Sequence, residues 1–402
     1  MIKKIVLINS VLYHKRTAVF LLSLLLSISV FVIVVFFEEY AYLYVPYESV
    51  AESDFLDSVY FIGYFDVNRS DDYSTHEELQ DYMNADADTV RKEISSFAAF
   101  DSIIEPQKCI LSLDGKEHEA VFYPDSFLKR ISVSTDKGRW FDVSAETDEA
   151  VLVGEKWNNR SVGDTITFDD GSSAVVVGLM KGNTMVPFFH GSVYYAGDLF
   201  NQADGYILLS SPSKVFDGKT FGERKQYFII NYKPDATESQ KDELSYYLNQ
   251  HGTIIDFHTV IDNTEEYMSN WVSIHFPVPT FLIAVATVCF LSLCTSVIHR
   301  SVNEQAKYMI IGCSKKKSVL LIIEALVISF ALPVASAFCI AINYQTILHL
   351  LGRPYSRIYC CVDSRCVIPA VAYILFLLAC GILIPALYYS KKSPLGLYLK
   401  EK

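Results

Sequence analysis

The chain has 402 residues, 51% of them hydrophobic, with a mean hydropathy of +0.24 and a net charge of −12 at pH 7. So apolar a composition argues against an ordinary soluble protein, and the acidic balance gives no reason to expect nucleic acid as a partner. The charge is unevenly spread: residues 38–275 carry 42 acidic and 18 basic side chains, a net of −24, whereas the remainder carries 4 and 16, a net of +12.

The chain begins with "MIKKIVLINSVLYHKR", residues 1–16, and then an apolar run, Thr17–Phe37. About 20 helical residues cross a hydrocarbon core of ~30 Å. Signal-peptide cores are shorter, about 7–15 residues, and end in small residues. Here "EEYAYLY" follows, a poor cleavage site, so the run is expected to be an uncleaved anchor.

Residues 38–275 are long enough to fold alone. "DFLDSVYFIGYFDV" (Asp54–Val67) has the β-branched and aromatic content of a strand. "STHEELQDYMN" reads as a helix start, capped by Ser74 or Thr75, with Glu77 and Glu78 in its first turn. The middle, about 105–215, reads as a β-rich insert. Within it, Thr165–Phe168 and Ala174–Leu179 flank "DDGSS", a hairpin signal at Asp170-Gly171. Toward the end, Tyr227–Tyr232 reads as a strand. Asp235 or Thr237 caps a helix to about Asn249, Gly252 stops it, and Thr253–His258 is a second strand. This β-α-β unit lays its helix on one sheet face. Trp271, Pro277 and Pro279 suit the return to a membrane interface.

The acidic pairs Asp71/Asp72, Asp169/Asp170 and Glu265/Glu266 are sequence neighbours. On a strand such neighbours face opposite ways, so they read as turn and helix-start residues rather than acid/base pairs. Gly218-Lys219-Thr220 matches the end of a phosphate-binding loop, but Ser213 stands where its first glycine is required. No other hydrolase, metalloprotease or redox motif occurs, so the chain is expected to be non-catalytic. Cys109 is the only cysteine of the large domain, so no disulfide framework stabilises it.

Three more apolar runs follow: Pro277–Ile298, Ser318–Ile342 and Val367–Tyr388. Apart from Glu324, the four runs hold no Asp, Glu, Lys, Arg or His, which argues against a proton or ion relay. Lysine and arginine set the orientation. They crowd the N-terminus (Lys3, Lys4, Lys15, Arg16), residues 299–317 (Arg300, Lys307, Lys315, Lys316, Lys317) and the tail 389–402 (Lys391, Lys392, Lys400, Lys402). The loop 343–366 has only Arg353, Arg357 and Arg365. Both termini and 299–317 are therefore expected in the cytoplasm, and the large domain and 343–366 outside. Cys360, Cys361 and Cys366 cluster in or beside that outer loop, where a bridge is open to them and a metal site lacks ligands.

In "HRSVNEQAKYMIIGCSKKK", Val302, Ala306, Met309 and Ile310 form one apolar helical stripe, Arg300 and Glu304 stand one turn apart, and Gly312 can end the helix. Two readings stand: a connector lying in the headgroups, or a helix that docks into a cytoplasmic partner. Glu324 is likewise open, to a carboxylate reaching the interfacial lysines, a protonated acid, or an internal contact joining the third span to that helix.

At these residues the sequence resembles the MacB/FtsX-type permease subunits of ABC transporters. The resemblance rests on Arg300, Glu304, Ile311-Gly312-Cys313-Ser314-Lys315 and Glu324, and on the tail "PALYYSKKSPLGLYL". In the outer domain it rests on "GRWF", "AVLVGE", "VGDTITF" and "VVVGLM". Lys307 and Met309 depart from the family pattern. The resemblance implies an α+β multi-domain membrane protein with four transmembrane helices and one large extracytoplasmic α/β domain carrying a β-rich subdomain. It implies a multi-pass protein of a bacterial cell membrane that pairs as a homodimer or heterodimer. It further implies a partner-binding helix at Arg300, Glu304, Lys307, Tyr308, Ile311, Gly312 and Ser314, with Glu324 as the intramembrane link. The partner is a separate cytoplasmic ATPase, which binds ATP and Mg; no cofactor is expected in this chain. The alternative is a membrane-anchored sensor or regulator of an extracellular partner such as a cell-wall hydrolase.

Overall fold

A computed structural model describes residues 16–53, 55–63, 88–181, 184–188, 193–202, 204–210, 227–312, scattered positions from 314 to 343, and 364–390. It divides into two compact units, Leu43–Ser269 and the rest, Met1–Tyr42 with Asn270–Lys402.

The first helix, α1, runs Arg16–Ala51, well past the expected span. No glycine interrupts it, and Pro46 inside it forfeits one helical hydrogen bond without ending it. In the membrane unit Leu22, Leu26, Val30, Ile33 and Val34 of α1 turn inward. Phe20, Leu24 and Ile28, on another face of the helix, are exposed, as suits side chains that meet lipid. The inward set packs with Ala286, Phe290, Leu293 and Cys294 of α5 (Pro277–Ile310), with Ala337, and with Ala370, Tyr373, Ile374 and Leu377 of α6 (Ser364–Ser390). Ser27 and Ser336 hydrogen-bond through their hydroxyls at 2.9 Å, which satisfies polar groups that hydrocarbon cannot. Among the described residues two helices are long and apolar enough to cross a membrane, Phe20–Ala51 and Phe257–Ser296. The run expected as a third span, 318–342, is described only in part, and its described positions are helical up to Cys339.

The outer unit is mixed α/β, built on two main sheets. The smaller has strand order β13-β1-β12-β2, with β1 at Ser58–Gly63, β2 at Phe100–Ile104, β12 at Tyr227–Tyr232 and β13 at Gly252–Asp256. The larger has the order β3-β4-β11-β6-β8-β5, with β7 also on β8. Its strands are β3 (Gln107–Leu113), β4 (Lys116–Phe122), β5 (Lys137–Gly138), β6 (Glu149–Val153), β7 (Thr165–Thr167), β8 (Ser173–Met180) and β11 (Ile207–Ser210). A short pair, β9 (Met185–Pro187) and β10 (Phe200–Gln202), stands apart.

The central strands are covered on both faces, which explains apolar runs such as β6 and β11, whereas β3 alternates buried and more exposed side chains. On β1, Val59 and Phe61 join the core under the helices, while Tyr60 enters the core shared with the larger sheet. On β6, Ala150 and Leu152 face one way, and Val151 and Val153 the other. The successive side chains of a strand alternate between faces, so each run fills two cores.

The β-α-β unit is present but split. After the short α2 (Asp125–Leu128), helix α3 (Glu238–His251) joins β12 to β13, and β1 lies antiparallel between them. Leu244 and Leu248 of α3 pack on Phe61, Phe228 and Ile230. Gly252 follows the helix in extended backbone (φ −173°), not the left-handed cap expected of it. The second strand ends at Asp256 rather than His258, because α4 (Phe257–His275) begins there. Phe257, Val260, Thr264 and Met268 are buried on α4, close to a four-residue spacing that only a helix turns to one side.

The expected hairpin is β7–β8, with Ile166 opposite Ala174. Its loop is longer than a two-residue turn: Phe168 N–H donates to the Ser172 carbonyl at 2.8 Å, and Gly171 takes φ +86°. That is a three-residue loop with a left-handed glycine. Asp169 accepts the Gly115 N–H and Asp170 accepts from Ser172, so both act in turns. The helix expected near Ser74 and Thr75, Asp71/Asp72, the Gly218–Thr220 segment, and Cys360 and Cys361 lie outside the described residues.

Candidate functional site

The sequence-predicted site begins inside α5. Arg300, Glu304, Lys307 and Tyr308 lie on its last turns. They do not form a separate helix along the membrane surface: α5 is one helix of 34 residues, about 51 Å long at 1.5 Å per residue. The physical reason is in the sequence. Between Pro279 and Gly312 there is neither proline nor glycine, and "NEQAKYMI" is mostly good helix formers, so nothing breaks the helix at the end of the span.

The helix ends where glycine was expected to end it. Met309 is buried in the membrane-unit core, while Ile311 is 83% exposed. Gly312 has φ +104°, and its N–H donates to the Met309 carbonyl at 3.2 Å. That backbone state strains any residue with a Cβ, although no atom lies within 4 Å of where the Cβ would stand. Ser314 then starts the next helical stretch: its Oγ accepts the Lys317 N–H at 3.4 Å, three residues on, as an N-cap does. Glu324 is helical and half-buried. The structure thus presents a long helix, a sharp glycine turn with an exposed isoleucine at its tip, and a capped restart.

Sequence reasoning missed a charged seam on the larger outer sheet. Lys108 Nζ donates to Glu119 Oε1 at 2.6 Å across β3 and β4. Burial works against the Lys108 charge, but hydrogen bonds with Glu119 and Tyr206 outweigh it and raise its pKa. The Lys108 hydrogen bond holds the Glu119 carboxyl below its usual range. Nearby, Lys156 Nζ lies 3.1 Å from His118 Nδ1 and over the Trp157 ring. Burial lowers the Lys156 pKa, and burial followed by the Lys156 charge lowers that of His118. A lysine ammonium only donates, so in that state His118 Nδ1 is the acceptor. Only the alternation "KEHEAVF" hints at this seam, and it does not reveal which strands lie beside β4.

No family model and no curated protein matches the chain by sequence. Among solved structures, the chain is similar to the periplasmic region of MacB from Actinobacillus actinomycetemcomitans, at 15% identity over 54% of this chain and 96% of that one, with a TM-score of 0.29. It is similar to the extracellular domain of the noncanonic ABC-type transporter YknZ from Gram-positive bacteria, at 8% identity over 48% and 93%, with a TM-score of 0.26. A domain of a putative permease protein from Porphyromonas gingivalis matches at 15% identity over 42% and 82%, with a TM-score of 0.22.

Proposed function

We propose that this chain is the membrane subunit of an ABC transporter of the MacB/FtsX type. In this reading a separate cytoplasmic ATPase binds ATP and Mg, and its cycle moves the outer domain to export or extract a substrate. The observation that carries it is helix α1. One uninterrupted helix places Leu22 to Val34 in the membrane-unit core and Val50 in the outer-unit core. The reading needs no channel through the bilayer, and apart from Glu324 the four apolar runs hold no charged side chain. Helices α4 and α5, joined only through Phe276, support the same reading from the other side of the outer domain's sequence.

On this reading Ile311, at the tip of the Gly312 turn, seats in the ATPase, and Arg300, Glu304, Lys307, Tyr308 and Ser314 belong to the same partner-binding segment. Glu324 ties the third span to that segment. Both termini are cytoplasmic, and two permease chains pair in the membrane. The test is affinity purification of the tagged chain from its native membranes. A co-purifying ATPase whose turnover depends on the chain supports the reading. A chain that purifies alone, and functions with every candidate ATPase deleted, refutes it.

A further inference from the structure

A cleft of 990 Å³ opens on the outer unit beside β13. Its floor includes Thr253, Ile254, Ile255 and Asp256 in succession. Neighbouring residues of a strand point to opposite faces of the sheet. A cleft lined by four in a row therefore takes in the strand's edge, and Val59, Ile62 and Gly63 of β1 with Tyr232 of β12 extend its lining across the sheet behind it. β13 is the end strand of its sheet, and among the described residues no strand pairs with its outer side. Such an edge offers a row of backbone donors and acceptors.

The walls are predominantly acidic. Glu238, Lys241, Asp242 and Ser245 line one wall from α3, at the spacing of a single helical face. His258, Thr259 and Asn263 of α4 line another with Tyr194, and Asp57 adds a carboxylate beside β1. Four carboxylates thus meet one lysine, and that lysine is already engaged by Glu238 at 3.0 Å. Asp57, Asp242 and Asp256 are exposed to an incoming ligand.

We infer that this cleft binds an extended, cationic peptide segment as an added strand on β13. Main-chain hydrogen bonds to the edge hold the segment, and its basic side chains meet Asp57, Asp242 and Asp256. Five residues of β13 span about 17 Å at ~3.3 Å per residue, enough to pair four or five ligand residues. The net charge of −24 over residues 38–275 draws such a ligand toward the domain. The inference stands apart from the ATPase reading, because binding needs the chain alone.

The experiment uses the full chain in phosphatidylcholine nanodiscs and a fluorescent octapeptide of alternating lysine and valine, with empty nanodiscs as the blank. Two further peptides carry N-methyl groups on alternate amides, one set for each edge of the strand. The expected result is saturable binding, at least tenfold weaker for one of the two methylated peptides and for Asp242→Lys and Asp256→Lys. Equal binding of all three peptides would reduce the cleft to a charged surface and overturn strand addition. Unchanged affinity in both charge-reversal variants would overturn the location. Thr253→Cys chains that cross-link to each other without peptide would show that a second copy covers the edge, and would also overturn the inference. The methylated-peptide comparison needs no variant, so a folding defect in a variant cannot mask the outcome.

Discussion

Gly252→Ala tests the packing at the head of β13. Gly252 lies opposite Gly63 of β1, in extended backbone open to any residue, so the substitution carries no conformational penalty of its own. The cost is steric. A Cβ there would stand 2.3 Å from the Ile62 carbonyl oxygen, and 2.5 and 2.6 Å from two ring atoms of Phe61. The Phe61 ring is fully buried and packs on Phe228 with centroids 5.1 Å apart, so it has little room to turn away. Either β13 moves off β1 or the ring leaves its place. Overpacking of this kind costs about 1–3 kcal/mol. At about 2–4 °C per kcal/mol for a domain of this size, Tm should fall by roughly 2–12 °C. The assay is thermal unfolding of the purified chain in detergent, followed by near-UV circular dichroism. In a double-mutant cycle, Phe61→Leu should relieve part of the clash, so the pair loses less than the two single losses added together. An unchanged Tm for Gly252→Ala, or strict additivity with Phe61→Leu, would refute the reasoning.

Other consequences are as direct. Gln240 Oε1 accepts the Thr237 N–H at 2.9 Å at the start of α3, so Gln240→Ala should cost about 0.5–1 kcal/mol in chemical denaturation. Arg139 donates through two nitrogens to the buried Glu149, and Arg139→Ala should cost about 1–3 kcal/mol, with Glu149→Gln in the same background recovering part of it. His118 has a folded-state pKa below its unfolded value. Its contribution to stability is therefore full above the unfolded pKa, about 6.5, and is lost as pH falls through the lower folded value. His118→Gln should flatten the stability profile over that window, read as Tm against pH. Gly312→Ala should lower ATPase coupling more than Gly312→Asn, since asparagine tolerates positive φ better, while both leave Tm of the outer unit unchanged.

Local pattern was readable; long-range pairing was not. Tyr227–Tyr232 was legible residue for residue because its apolar run is bounded by turn chemistry at Pro234 and Asp235. Helix α3 was legible from its cap, which falls at Thr237, one of the two residues expected for it. That β1 separates β12 from β13 could not be read, since register between distant strands depends on packing rather than on neighbours in the chain. The parallel pairings of β4 with β11 and β6 with β8 were hidden for the same reason. Phe257 and His258 were expected in the second strand; burial of Phe257, Val260, Thr264 and Met268 at helical spacing puts them in α4 instead. At the candidate site, helicity and its end at Gly312 were legible, because amphipathic spacing and glycine act locally. The continuity of α5 was hidden because hydropathy marks where a span leaves the apolar core, not where its helix stops. The cleft along β13 was invisible for want of the sheet order.

The central claim is that the Gly312 turn links a cytoplasmic ATPase to this chain. The most direct measurement is ATP turnover of the co-purified complex in nanodiscs, compared between wild type and Gly312→Pro. Wild type should modulate the ATPase relative to the ATPase alone, and Gly312→Pro should abolish that modulation while the outer unit keeps its Tm. Equal modulation by both chains, or no effect of the wild-type chain on turnover, would contradict the account.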